Sequence, residues 1–212
     1  MDFQYIDLAH WARREHYQHY FSQIPCTYSM TTKLDVAPIL QTGHKLYPAM
    51  LYCIAKTVNM HAEFRMDLDI DGRLGYFDQM NPCYTIFHKD TETFSNLWTE
   101  YTDNYAVFYQ RYQEDLERYG NVLSMQAKPN TPANTFPVSM VPWESFEGFN
   151  LNLQKGYRYL LPIFTMGKCV AVGEKCEMPL SIQVHHAVCD GFHVCRFLSD
   201  LRGAIKCFGK DD

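Results

Sequence analysis

The chain has 212 residues, 47% hydrophobic and 15% aromatic, with a formal net charge of −5. That length and apolar share suffice for one sizeable core, so one domain over residues 1–212 is expected. The acidic balance without a basic run excludes nucleic acid as partner, and no apolar run is long enough to predict a membrane span.

The first residues, Met1-Asp2-Phe3-Gln4, lack the basic and apolar regions of a signal peptide. The eight cysteines hold no Cys-x-x-Cys pair. They are expected to be reduced, mostly buried as small apolar side chains of a cytoplasmic protein.

Asp7 is placed to cap a first helix from Leu8 to about Phe21, with Arg13 and Arg14 on different faces. Pro25 ends it, and Cys26 to Leu34 reads as a strand. Asp35 caps a short helix through Leu40. After the Thr42-Gly43 break, Tyr47 to Met60 predicts a helix. Its stripe is Met50, Leu51, Ile54, Ala55 and Val58, with Pro48 tolerated in the first turn. Leu68 to Leu74 predicts a hairpin turning at Asp71-Gly72, and Tyr84 to His88 a short strand. Phe94 to Tyr119 carries a helical pattern, broken near Asp103-Asn104 and closed by Gly120 as C-cap. From Asn121 to Pro137 periodicity is lost, and Pro129, Pro132 and Pro137 predict a loop. Short strands are expected at Val138 to Val141, Phe149 to Leu153, Ile163 to Val172, and Met178 to His186. The order of strands and helices lacks strict βαβ alternation. It predicts an α/β two-layer sandwich, a mixed β-sheet covered by helices.

The chemistry gathers near the C-terminus, in Gln183-Val184-His185-His186-Ala187-Val188-Cys189-Asp190-Gly191-Phe192-His193. Met178, Leu180, Ile182 and Val184 alternate with polar positions before it. Val194, Phe197, Leu198, Leu201, Ile205 and Phe208 recur at helical spacing after it. Asp190-Gly191 makes the turn between them. A histidine at a rigid strand end suits proton transfer near neutral pH. His185 and His186 are neighbours in extended chain and point to opposite faces, so they do not act as one pair. Pattern alone does not choose between them, and a buried, hydrogen-bonded histidine without catalysis is the plainer alternative. A metal reading draws on His185, His186, Cys189, Asp190, His193 and Cys195, but the opposed histidines and the missing ligand spacings count against it, so no metal is expected. Cys189 and Cys195 read as packed thiols rather than nucleophiles. No Gly-x-Ser-x-Gly elbow supports a serine nucleophile.

His185-His186-Ala187-Val188-Cys189-Asp190-Gly191-Phe192-His193 resembles the signature of the chloramphenicol acetyltransferases. Trp11-Ala12-Arg13-Arg14-Glu15-His16, Val138-Ser139-Met140-Val141-Pro142-Trp143 and Phe149-Asn150-Leu151-Asn152 resemble further family blocks, in the family's order. The likeness runs from about Phe3 to Phe208. It implies a two-layer fold assembled as a homotrimer, with active sites between subunits. The implied reaction moves acetyl from acetyl-CoA to the primary (C3) hydroxyl of chloramphenicol, directly and without an acyl-enzyme. The runner-up is a related acyltransferase acting on another alcohol or a thiol.

The resemblance also implies roles for single residues. His186 is the general base, its tautomer fixed by its own main-chain carbonyl. Asp190 and Arg13 form a buried ion pair. Ser139 donates to the developing oxyanion, and Thr165 binds a water near the transition state. Tyr20, Ile24, Cys26, Phe108, Phe149, Leu151 and Ile163 line the antibiotic pocket. Lys45, Tyr47 and Lys168 approach coenzyme A. Gln126 and Cys169 depart from the family pattern, standing where aromatic residues are expected. They touch substrate binding and no catalytic position.

Overall fold

The structure, a computed structural model, describes residues 2–153 and 158–210. The strands are β1 (Phe3–Tyr5), β2 (Thr27–Asp35), β3 (Met66–Leu68), β4 (Leu74–Phe77), β5 (Asn81–His88), β6 (Thr93–Trp98), β7 (Thr135–Val141), β8 (Ile163–Gly167), β9 (Val170–Val172) and β10 (Lys175–His185). The helices are α1 (Arg14–Gln18), α2 (Ala37–Gln41), α3 (Leu46–Met60), α4 (Tyr105–Tyr119) and α5 (Gly191–Cys207), with a π turn at His19–Gln23 and a 3₁₀ turn at Ala62–Phe64.

The large sheet runs β2-β10-β8-β7-β5-β6, with β9 paired to β10. β7 is parallel to both β5 and β8, and the remaining pairs are antiparallel, so the sheet is mixed as expected. A small sheet, β1-β4-β3, stands beside it. Met178, Leu180, Ile182 and Val184 enter one core with the α3 stripe and with Val194, Phe197, Leu198, Leu201 and Ile205 of α5. Phe197 stacks on both Phe64 and Phe164, at 4.5 and 5.4 Å between ring centroids, which ties the helical layer to the sheet. Removing a large apolar side chain here costs about 2–5 kcal/mol, because the cavity left behind does not close. The Asp71-Gly72 turn holds, with Gly72 at φ 77°, a backbone region glycine enters without strain.

Five expectations are corrected. The first helix does not start at Leu8. Asp7 spends its carboxylate on an Asx turn, accepting from the Ala9 amide at 3.0 Å, and α1 begins only at Arg14. The stretch from Phe94 to Tyr119 is a strand followed by a helix. β6 pairs with β5, and Asn104 caps α4 by accepting from the Val107 amide at 3.0 Å. Residues 149–153 form no strand, because side chains rather than a neighbouring backbone hold them. The Ile163 to Val172 stretch breaks at Lys168-Cys169 into β8 and β9. Finally, Cys169 and Cys176 are joined as a disulfide across the β9–β10 hairpin, which sets their Cα atoms 6.0 Å apart, within bridging range. The other six cysteines are free.

Candidate active site

β10 delivers the two histidines to its end, and their surroundings separate them. His185 is fully enclosed, and its Nδ1 accepts from the Ala187 amide at 3.1 Å. Such a ring is a structural element. His186 lies just past the strand and is half-buried. Its amide donates to the Cys26 carbonyl at 2.9 Å. The π turn places Tyr20 flat against the His186 ring, 3.9 Å between centroids at 9°, and Tyr28 of β2 meets it edge-on at 5.4 Å. The next residue of the turn, Phe21, goes to His185 instead, at 6.0 Å. Consecutive aromatics thus serve consecutive histidines. Nδ1 of His186 is buried and makes no hydrogen bond among the described residues. Its own carbonyl therefore does not hold it, contrary to the implied tautomer lock.

That carbonyl faces Arg13, whose Nη2 donates to it at 3.5 Å while Nη1 donates to Asp190 Oδ2 at 2.6 Å. The side chains of the pair are 18% and 30% exposed. Burial acts to raise the Asp190 carboxyl, but the Arg13 hydrogen bond and the nearby positive charges outweigh it. Asp190 is held below its ordinary range. Asp190 also caps α5, as the turn chemistry predicts. Arg14 points outward and is exposed. Burial pushes the Cys189 thiol far up, helped by the Glu63 and Asp190 charges, so it stays protonated and unsuited to nucleophilic attack.

A second group lies along the sheet. Ser139 pairs in register with Thr165, Thr165 with Ser181, and Ser181 with Thr31, so four hydroxyls form a row across β7, β8, β10 and β2. Paired residues share a face, opposite the one that Leu180 and Ile182 turn to the core. Ser139 Oγ and Thr165 Oγ1 are 3.1 Å apart. Ser181 donates to the Phe149 carbonyl at 2.5 Å, and the Gln183 amide grips Leu151 at both main-chain atoms, 2.8 Å to its N–H and 3.0 Å to its carbonyl. Residues 149–151 are thereby strapped over the polar face of β10. A groove of about 540 Å³ opens between this strap and β2, walled by Thr27, Tyr28, Ser29, Leu151 and Gln183. Its size suits a drug-like molecule. Tyr28 is common to this groove and to the His186 ring.

Of the expected pocket residues, Tyr20, Cys26, Phe149 and Leu151 lie at these two places. Ile163 pairs with Gln183, and Ile24 stands exposed at the end of the π turn. Phe108 does not join them. It is fully enclosed in the helical layer, against Tyr52. Gln126 forms an isolated bridge to Asn96 of β6, at the far edge of the sheet. Lys45 is exposed at the start of α3, and Lys168 is exposed between β8 and β9, its amide donating to the Glu144 carbonyl at 2.8 Å. Tyr47 is not presented to a ligand, because its phenol donates to the Thr85 carbonyl at 3.1 Å and burial pushes its pKa up.

Tyr28 and Gln183 carry parts of the site that sequence reading passed over. The polar alternation along β10 was the available signal for Gln183, and Tyr28 had none. Among the described residues no group of three or more His, Cys, Asp or Glu side chains is arranged to hold a metal, and no helix is long and apolar enough to cross a membrane.

Known proteins share both the sequence and the fold. A family model described as chloramphenicol acetyltransferase matches residues 1–202. A chloramphenicol acetyltransferase of Campylobacter coli is 59% identical over 206 residues, covering 97% of this chain and 100% of its own. One from Vibrio anguillarum is 58% identical over 206 residues, 97% and 95%. One from Staphylococcus aureus is 42% identical over 210 residues, 97% and 100%. Among solved structures, a chloramphenicol acetyltransferase superposes with a TM-score of 0.85 at 21% identity, over 97% of this chain and 100% of the other. A probable dihydrolipoamide acetyltransferase from Listeria monocytogenes superposes at 0.67 and 12%, over 95% and 94%. At these identities the structural matches speak for the fold alone.

Proposed function

The chain belongs to the chloramphenicol acetyltransferase family and transfers acetyl from acetyl-CoA to chloramphenicol, and from that premise we propose that its working unit is a homotrimer with each active site built between two subunits. One observation carries this reading. His186 lies five residues beyond Ser181, the β10 member of the row that contains Ser139. At about 3.3 Å per residue that is roughly 17 Å along the strand, plus two strand spacings of about 4.8 Å sideways. A base and an oxyanion donor must both reach one reacting carbonyl within hydrogen-bond distance. Within one chain they do not, so a second copy supplies the missing half.

In that assembly Nε2 of His186 takes the proton from the primary hydroxyl of chloramphenicol as the oxygen bonds to the thioester carbonyl carbon. The carbonyl oxygen gains charge and is met by the Ser139 hydroxyl, itself braced by Thr165. Collapse breaks the C–S bond, and the departing thiolate takes the proton back from the imidazolium. The products are the acetyl ester and free coenzyme A. Nδ1 is the buried ring nitrogen, which leaves Nε2 as the one to act. Arg13 and Asp190 hold the His186 main chain. The groove beside the 149–151 strap takes the antibiotic, and Lys45 and Lys168 take coenzyme phosphates. Acetyl-CoA as co-substrate supports a cytoplasmic location, and no step calls for a metal.

The test is free thiol release from acetyl-CoA, with chloramphenicol present or withheld, alongside the mass of the particle in solution. Release that depends on chloramphenicol, from a trimer, is expected. Full turnover by a monomer refutes the shared site, and release only with other acceptors refutes the substrate.

A further inference from the structure

Behind the Arg13–Asp190 pair stand charged groups that the mechanism has not used. Glu63 lies in the 3₁₀ turn after α3, and His193 and Arg196 lie in the first turns of α5. Arg196 Nη2 donates to Glu63 Oε2 at 3.0 Å, and the other Glu63 oxygen is 3.6 Å from His193 Nε2. His193 Nδ1 is 2.7 Å from Asp190 Oδ1 and 3.1 Å from the Asp190 amide. The remaining Asp190 oxygen holds Arg13, which reaches the His186 carbonyl. The chain of groups therefore runs from solvent-facing Arg196 to the main chain of the base. Its middle members, His193 and Glu63, have side chains only 12% and 19% exposed.

Given the reading of His186 as base, we propose that Glu63 and His193 are positioning residues for the transfer. Together they fix the main chain of Asp190, whose carboxylate aims Arg13 at the carbonyl of His186. The reasoning starts from what holds that imidazole. Its buried Nδ1 makes no hydrogen bond among the described residues. Stacking on Tyr20 restrains the ring's tilt but allows it to slide. The main chain of residue 186 must then fix the ring, and among the described residues it is gripped at two points, its amide on Cys26 and its carbonyl under Arg13. One Asp190 oxygen holds Arg13, and Nδ1 of His193 accepts from the Asp190 amide, with Glu63 beside Nε2 favouring the tautomer that leaves Nδ1 free to accept. Without the His193 ring the Asp190 main chain loses that hold, and Arg13 shifts with the carboxylate it carries. Misplacing a reacting group by about 1 Å costs on the order of 10²-fold in rate, so a partial slackening is expected to cost about tenfold. Stability alone does not call for this chain, because buried ionic groups are often replaceable by apolar ones at no loss.

The test compares Glu63→Gln and His193→Ala with the unaltered trimer. Each is expected to lower kcat about tenfold while KM for both substrates stays within about twofold. His193→Asn keeps an acceptor for the Asp190 amide and is expected to recover most of the rate. In an Arg13→Ala background, His193→Ala is expected to cost nothing further, because the path is already cut. Unchanged kcat in both Glu63→Gln and His193→Ala overturns the proposal, as does an undiminished loss in the Arg13→Ala background. If His193→Ala fails to assemble, Glu63→Gln decides by the same criteria. His186→Ala run in parallel keeps the two readings apart. An active His186→Ala protein sinks the base assignment, whereas an active Glu63→Gln protein sinks only the positioning role.

Discussion

Replacing His186 with alanine separates chemistry from architecture more cleanly than any other single change. Among the described residues the ring makes no side-chain hydrogen bond, so its removal strands no buried partner there. What is lost from the fold is the stack on Tyr20 at 3.9 Å and the edge contact with Tyr28. An aromatic pair of this kind contributes about 0.5–1.5 kcal/mol. For a chain of this length 1 kcal/mol moves Tm by roughly 2–4 °C. What is lost from the reaction is a general base, about 10²–10⁴ in rate, or about 3–5 kcal/mol of barrier. His186→Ala is therefore expected to assemble normally and melt within a few degrees of the parent, with kcat lower by at least 100-fold. Saturating thiol-release kinetics, light scattering and a thermal melt read the three quantities on one preparation. A kcat within tenfold of the parent would refute the reasoning, and so would a variant that is inactive because it no longer assembles.

Other changes test other parts of the site. Ser139→Ala removes the proposed oxyanion donor and is expected to cost roughly 10²–10³ in kcat with substrate binding retained, measured by steady-state kinetics. Gln183→Leu removes two bonds to the Leu151 main chain. It is expected to destabilise the protein by about 1–3 kcal/mol in urea unfolding and to raise KM for chloramphenicol more than KM for acetyl-CoA. The Asp190 carboxyl is held below its ordinary value of 3.8, so in the native state it binds its proton later than in the unfolded one. Its contribution to stability is then full above pH 3.8 and lost as pH falls through its lowered native value. Acid unfolding curves of the parent are expected to carry this slope, and those of Asp190→Asn to lack it.

The reach of sequence reading followed how local each signal was. The α3 stripe and the β10–turn–α5 unit are written in periodicity and turn chemistry, and both appear where expected. The Thr93–Trp98 strand was hidden inside a helical pattern, because what makes it a strand is its pairing with β5, and no residue within it states that. The choice between His185 and His186 depended on which ring Tyr20 and which ring Phe21 would cover, a tertiary matter. Alternation along β10 was legible, but nothing in it said what covers its polar half. Ser181 and Gln183 are buried under the 149–151 strap, where a side-chain amide replaces the backbone ladder that the Phe149 to Leu153 stretch was expected to form. Phe108 shows the opposite limit, since a core aromatic and a pocket aromatic look alike in a sequence.

The distance between the hydroxyl row and the base has a genetic consequence. If each catalytic centre draws His186 from one chain and Ser139 from its neighbour, two different defects need not lie in the same centre. Any ring of three that mixes a His186→Ala chain with a Ser139→Ala chain contains one junction where both intact halves meet. With equal supply, three rings in four are hybrids, so about a quarter of all centres revive. Two alleles that are each null alone would then complement each other in one cell, and the cell would grow on the drug.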